Sequence, residues 1–127
     1  MRFFIGLGLV VLIIGTVYNK LIVEGGLVSY CDQHAKDKKS EMILHLLGEG
    51  YEFAGNYDKM LEVDGRILER YPVSPYAEDA EFGVAFAQER LNRYPAAIKE
   101  YEKFLEKYPN SKYARSVRNN IEILKSR

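Results

Sequence analysis

The segment Ile67–Asp79, ILERYPVSPYAED, returns 37 residues later as Phe104–Ser116, FLEKYPNSKYARS, with seven of thirteen positions identical. The period reaches beyond these segments: Asn56-Tyr57 aligns with Arg93-Tyr94, Leu61 with Ile98, Leu68 with Leu105 and Pro72 with Pro109. Between the repeated segments apolar residues recur at helical spacing, as with Met60, Leu61, Val63, Ile67 and Leu68, and β signals are few. The pattern predicts helices over 41–54, 57–71, 76–91, 95–108 and about 112–125, broken at Gly55-Asn56 and Asn92-Arg93 and stopped by Pro72 and Pro109. Helices this short cannot bury an apolar face alone. A fixed period therefore predicts an all-α solenoid of stacked helix–turn–helix units, here two units and a terminal helix.

The repeated segment reads as a joint. Leu68 and Tyr71 finish one helix and Pro72 cannot continue it. Ser74 suits the N-cap of the next helix, with Pro75 in its first turn and Glu78 and Asp79 near its positive end. In the second copy Ser111 is the cap, but Lys112 and Arg115 replace the proline and an acid.

The N-terminus differs from the rest. Residues 3–18 carry no formal charge, and sixteen residues of helix reach ~24 Å, short of a ~30 Å hydrocarbon core. Lys20 can snorkel, so that Leu21, Ile22 and Val23 complete a span over residues 3–23. A cleaved signal peptide is the alternative, although Val23-Glu24-Gly25 is a poor cleavage site. The expected division is a transmembrane anchor or signal peptide at 1–24, a juxtamembrane helix or linker at 25–40, and the repeat domain at 41–127. Residues 27–36 can either cap the first unit or serve as a loose tether. Lys20, Lys36, Lys38 and Lys39 follow the span and only Arg2 precedes it, so the positive-inside rule favours a cytoplasmic C-terminal part.

Acids and bases number 18 each, so net charge does not point to nucleic acid. The balance is uneven, however: −7 over residues 41–81 and +5 over 82–127. The single cysteine, Cys31, has no partner for a disulfide or a Cys-x-x-Cys site. His34 and His45 are not spaced as a metal pair, and neither a nucleophile motif nor a phosphate-binding glycine loop is present. No enzyme activity, cofactor or metal is expected.

At the level of motif the chain resembles the tetratricopeptide repeat family. Tyr57 and Tyr94 open the second helices, Ala97-Ile98, Tyr101, Phe104-Leu105 and Pro109 follow the family spacing, and Gly48 and Ala85 supply the small residue of the first helices. Met60 and Asp64 depart from the pattern, and 37 exceeds the family's usual period of about 34. The extended Tyr-Pro-x-Ser-x-Tyr-Ala joint is similar to a subgroup common in bacterial envelopes, including the lipoprotein of the outer-membrane barrel-assembly machine and the periplasmic Tol-Pal coordinator.

The resemblance implies a concave groove lined by first helices. Carried over, this gives Met42, His45, Leu46, Glu49, Glu52 and Phe53, then Asp79, Phe82, Gly83, Phe86, Glu89 and Arg90, with Asn119, Asn120 and Ile123 from the last helix. Aromatic anchors suit peptide recognition, and they suit a solenoid core equally. With Arg90 as the only cation in the first two units, a receptor for a C-terminal carboxylate is not expected. A second candidate surface is the basic end: Lys112, Arg115, Arg118 and Lys125. The expected function is a single-pass module of the inner membrane that binds another protein or peptide segment, its repeats in the periplasm by resemblance. The alternative is an accessory subunit of a larger respiratory, secretion or photosynthetic membrane complex.

Overall fold

The computed structural model describes residues 2–127, with side chains at 8–22 and 24–127. Among these residues every regular element is helical: α1 (Arg2–Tyr18), continued by a π-helical turn at Asn19–Val23, α2 (Gly26–Gln33), α3 (Lys38–Phe53), α4 (Tyr57–Arg70), α5 (Ala77–Arg90), α6 (Tyr94–Lys107) and α7 (Ala114–Lys125). Helices α3 to α7 stack in chain order, each against the next, as a solenoid requires.

The turns inside the two units are copies. Gly55 (φ 70°) and Asn92 (φ 60°) occupy the left-handed region at equivalent positions. Behind them Asn56 N–H donates to the Tyr51 carbonyl (2.8 Å) and Arg93 N–H to that of Gln88 (2.9 Å), so both first helices end in Schellman motifs. Glycine enters that region freely, and asparagine is the side chain that best tolerates it.

The joint between units differs from the expected N-cap. Ser74 and Ser111 lie three residues ahead of α5 and α7, which begin at Ala77 and Ala114. Each hydroxyl instead accepts from the amide two residues on, Tyr76 (3.2 Å) and Tyr113 (3.1 Å). Each also donates to a carboxylate one unit back. Ser74 reaches Glu41 on α3 (2.6 Å), and Ser111 reaches Glu78 on α5. The tyrosines repeat the pattern: Tyr76 stacks on His45 with ring centroids 4.5 Å apart, Tyr113 on Phe82 at 4.3 Å. The shared letters thus latch the start of each new helix onto the first helix of the unit behind it. Ser74→Ala is expected to lower stability by about 1.5 kcal/mol, since it strands a charge-assisted bond. Ser111→Ala should cost a similar amount, and the two should add in thermal unfolding because the latches are separate.

The core has two parts. Leu44, Leu47, Met60, Val63 and Ile67 join α3 and α4, and Tyr101, Phe104, Val117, Ile121 and Leu124 join α6 and α7. Helix α5 lies between them. It buries Ala77, Ala80, Gly83, Ala85 and Ala87 on several sides, and its small residues let neighbouring helices approach closely.

Residues 26–36 are docked rather than loose. Val28 and Cys31 belong to the first core, Tyr71 Oη donates to the Ala35 carbonyl (2.7 Å), and Asp32 pairs with Arg66 (2.7 Å) and Arg70 (2.5 Å). Burial raises the pKa of the Cys31 thiol, which makes it a core residue with little reactivity. Helix α2 therefore caps the first unit.

Of the span expected over residues 3–23, the side chains of residues 3–7 and 23 lie outside those described. No single helix among the described residues is long and apolar enough to cross a membrane. Gly8–Ile22 and Gly26–Gln33 together have the length and composition, but the chain bends by 49° between them, where Gly25 takes φ 74°.

Candidate functional site

The residues expected to line a groove divide into three groups. The first surrounds a cleft of about 130 Å³ where α3 and α5 adjoin, and includes His45, Glu49, Glu52, Asp79, Phe82 and Gly83. The second is the neighbouring surface formed by Phe53, Tyr57 and Phe86, continuous with the cleft through Glu49 and Glu52. Phe53 is 96% exposed there, and Leu46 and Met42 are also exposed on α3. Phe86 is half-buried, edge-on to Tyr57 (6.0 Å), and the Arg90 guanidinium lies over both rings. The expected groove aromatics thus differ in exposure: Phe53 is bare at the surface, whereas Phe82 and Phe86 are half-buried against neighbouring rings.

The third group is internal. Glu89 accepts from the Tyr101 hydroxyl (2.7 Å), and Asn120 Nδ2 donates to both Glu89 (3.4 Å) and Tyr101 (3.2 Å). Burial, then the bond to Glu89, raises the Tyr101 pKa, so this hydroxyl stays protonated and donating. Glu89 and Asn120 therefore tie α5, α6 and α7 together. Asn119 and Ile123 are exposed on α7.

The basic end is partly committed to contacts within the chain. Lys112 lies 3.6 Å from Asp79, Lys125 2.6 Å from Glu102, and Arg118 donates to the Pro109 carbonyl (3.3 Å). Lys107 pairs with Glu81 and Arg93 with Asp58 (3.5 Å). Much of the charge reversal between units is thus complementarity along the solenoid. Arg115 is exposed and makes no ion pair among the described residues.

The site residue that sequence reasoning misses is Asp64. In the sequence it is only a departure from an aromatic position. In the fold it forms the base of the cleft, 5% exposed, and its carboxyl makes no hydrogen bond among the described residues. A Cβ on Gly83 would lie 2.0 Å from its Oδ2, and one on Gly48 2.6 Å from its Oδ1, so both glycines make room for it. Burial raises its pKa to about 8, with further push from Glu52, Asp79 and Glu49. The signal is present in the repeat. The period of 37 pairs Asp64 with Tyr101, Glu52 with Glu89 and Gly83 with Asn120. At the second position the triad is filled and bonded. At the first, two large side chains are replaced by a carboxyl and a hydrogen, and the space remains.

Among the described residues no three His, Cys, Asp or Glu side chains converge as a metal ion requires. The cleft instead combines dispersed carboxylates with the aromatic walls Phe82 and Tyr113. No curated protein matches the chain. Residues 79–111, running from the first turn of α5 to the serine of the joint after α6, match the family model described as tetratricopeptide repeat.

Proposed function

We propose that this protein is a membrane-anchored scaffold of the bacterial envelope that binds another protein through the face where α3 and α5 adjoin. The observation that carries the binding role is the exposed strip Met42, Leu46 and Phe53 beside an acidic cleft. Large apolar side chains in such a row, rimmed by carboxylates, are characteristic of an interaction surface. The repeat match supports the same role, since tetratricopeptide repeats generally mediate contacts between proteins.

Anchoring is supported by α1. Leu9 to Ile14 are all at least half exposed, from 52% (Val10) to 68% (Leu12), and among the described residues α1 packs only on the π-helical turn that continues it. A helix apolar all round needs an apolar surrounding. The Thr16 hydroxyl donates to the Leu12 carbonyl (2.8 Å), as lipid demands of a polar group. The resemblance favours the periplasmic side for the repeats, whereas the lysines after the span favour the cytoplasm. A second reading, an accessory subunit of a larger membrane complex, draws on Gly8 and Gly15. Both are open on α1 and permit close approach of another membrane helix.

A photocrosslinking residue at position 53 is expected to capture a partner, and Leu46→Asp is expected to abolish capture without lowering the Tm. Capture unchanged by Leu46→Asp would refute the surface. Fixed stoichiometry of the captured protein through mild-detergent purification would favour the second reading. For sidedness, Ser126→Cys should react with an impermeant maleimide once the outer membrane is permeabilised, while buried Cys31 stays silent; labelling only after lysis of the inner membrane would place the repeats in the cytoplasm.

A further inference from the structure

We propose that the cleft above Asp64 is a receptor for an arginine side chain presented by the partner polypeptide. The inference rests on the reading of this face as a protein-binding surface and names the chemistry that the surface recognises.

The cleft is a specific exception within the repeat. Tyr101, Glu89 and Asn120 fill the second interface with a bonded triad, and Asp64, Glu52 and Gly83 leave the first one open. Removing this much side-chain volume from a packed joint has a stability cost unless something occupies the space. Asp64 at the base is only 5% exposed, its carboxyl has no hydrogen-bond partner among the described residues, and it lines the cleft with its oxygens set against Gly48 and Gly83. Glu49 and Glu52 stand exposed at the rim, and Asp79 lies on the α5 side. The space, about 130 Å³, accepts the end of one side chain and not a folded element.

Charge selects a cation, and the layout selects its kind. A metal ion needs ligands converging on one point, which these carboxylates do not do. A guanidinium offers five N–H donors spread over a plane and is more weakly hydrated than an ammonium. It suits a base carboxyl and separate rim carboxylates, which its donors can reach in different directions within one plane. The adjoining Phe53–Phe86 surface would take an apolar neighbour of that arginine.

Entry of the cation also has a proton consequence. Asp64 faces His45, Glu49 and Glu52 of α3, Asp79 of α5, and Tyr113 with Lys112 ahead of α7. With its carboxyl mostly protonated near neutral pH, binding a guanidinium releases that proton, so affinity rises with pH up to about 8.

The test uses the full chain in detergent micelles, labelled with 15N-glycine, and the peptide acetyl-Ala-Arg-Ala-amide with its citrulline counterpart. The arginine peptide is expected to shift the Gly48 and Gly83 amides saturably, and the neutral citrulline peptide to bind at least tenfold more weakly. Affinity for the arginine peptide should increase several-fold from pH 6 to pH 8. Asp64→Asn should lose at least tenfold, and Glu52→Gln, at an exposed position, several-fold with the fold intact. Equal binding of the citrulline peptide, unchanged binding by Asp64→Asn, or the same shifts produced by calcium chloride alone would overturn the proposal. Partner capture at position 53 without arginine-peptide binding would remove this inference and leave the interaction surface standing. Arginine-peptide binding without capture would support the receptor and count against the scaffold role.

Discussion

Asp64→Asn is expected to stabilise the full chain by about 3 kcal/mol at pH 9, a rise in Tm of about 10 °C, and to destabilise it by about 2 kcal/mol at pH 4, where there is no buried charge to relieve. The ordinary aspartate pKa is 3.8, and burial beside Glu52, Asp79 and Glu49 raises it to about 8 in the fold. Between those values the folded chain holds a proton that the unfolded chain has released. Stability therefore falls as pH rises from about 4 to about 8 and levels off above, where a buried, unpaired charge must be tolerated. Carrying that charge in the fold costs roughly 5 kcal/mol, and an asparagine amide left without full hydrogen bonding in the cleft offsets part of the gain from removing it. Thermal unfolding from pH 4 to pH 9, wild type against variant, reads the difference. A gain that does not grow with pH, or a loss at pH 9, would show that Asp64 is not the buried acid of the cleft. A substitution that stabilises the fold and abolishes arginine binding would be the signature of a residue kept for recognition at the expense of stability.

Phe104→Ala is expected to cost about 4 kcal/mol, whereas Phe53→Ala should change stability by less than about 0.5 kcal/mol. Phe104 is fully buried in the second core, packed edge-on to Phe82 (6.2 Å) and Tyr113 (6.3 Å) and tilted against Tyr108 (5.2 Å). Its removal empties the point where α5, α6 and the joint before α7 meet, and helices held by small residues cannot collapse further to fill it. Phe53, at the end of α3, is 96% exposed. Denaturant unfolding of the two variants measures the contrast. Similar losses for both would mean that Phe53 is a core residue, and the case for a binding strip would fail.

The helices, their order and their turns are legible in the sequence because each depends on local chemistry that repeats. The prolines, the left-handed Gly55 and Asn92, and the apolar spacing of 57–71 act within a few residues. The predicted limits of α4, over 57–71, differ from the observed Tyr57–Arg70 by one residue. Ser74 reads as an N-cap because a capping serine looks the same in sequence as one bonded to Glu41 on another helix, 33 residues away. Helix α2 reads equally as cap or tether, since docking is decided by the surface that receives it. Here that surface is α3 and α4, which take Val28, Cys31 and Asp32.

The candidate site divides along the same line. Periodicity puts Glu49, Phe53 and Phe82 on the right helices, but it cannot say that Phe53 is bare and that Phe82 forms the wall of a cleft. Local spacing sets which residues share a helical face, and not how closely the next helix covers it. By itself the sequence determined an all-helical repeat, a period of 37, an apolar N-terminal segment and a joint used twice. Only the tertiary structure decided what the departures from that repeat mean. Asp64, Glu52 and Gly83 stand far apart along the chain, and they form a hollow only because α3, α4 and α5 pack side by side.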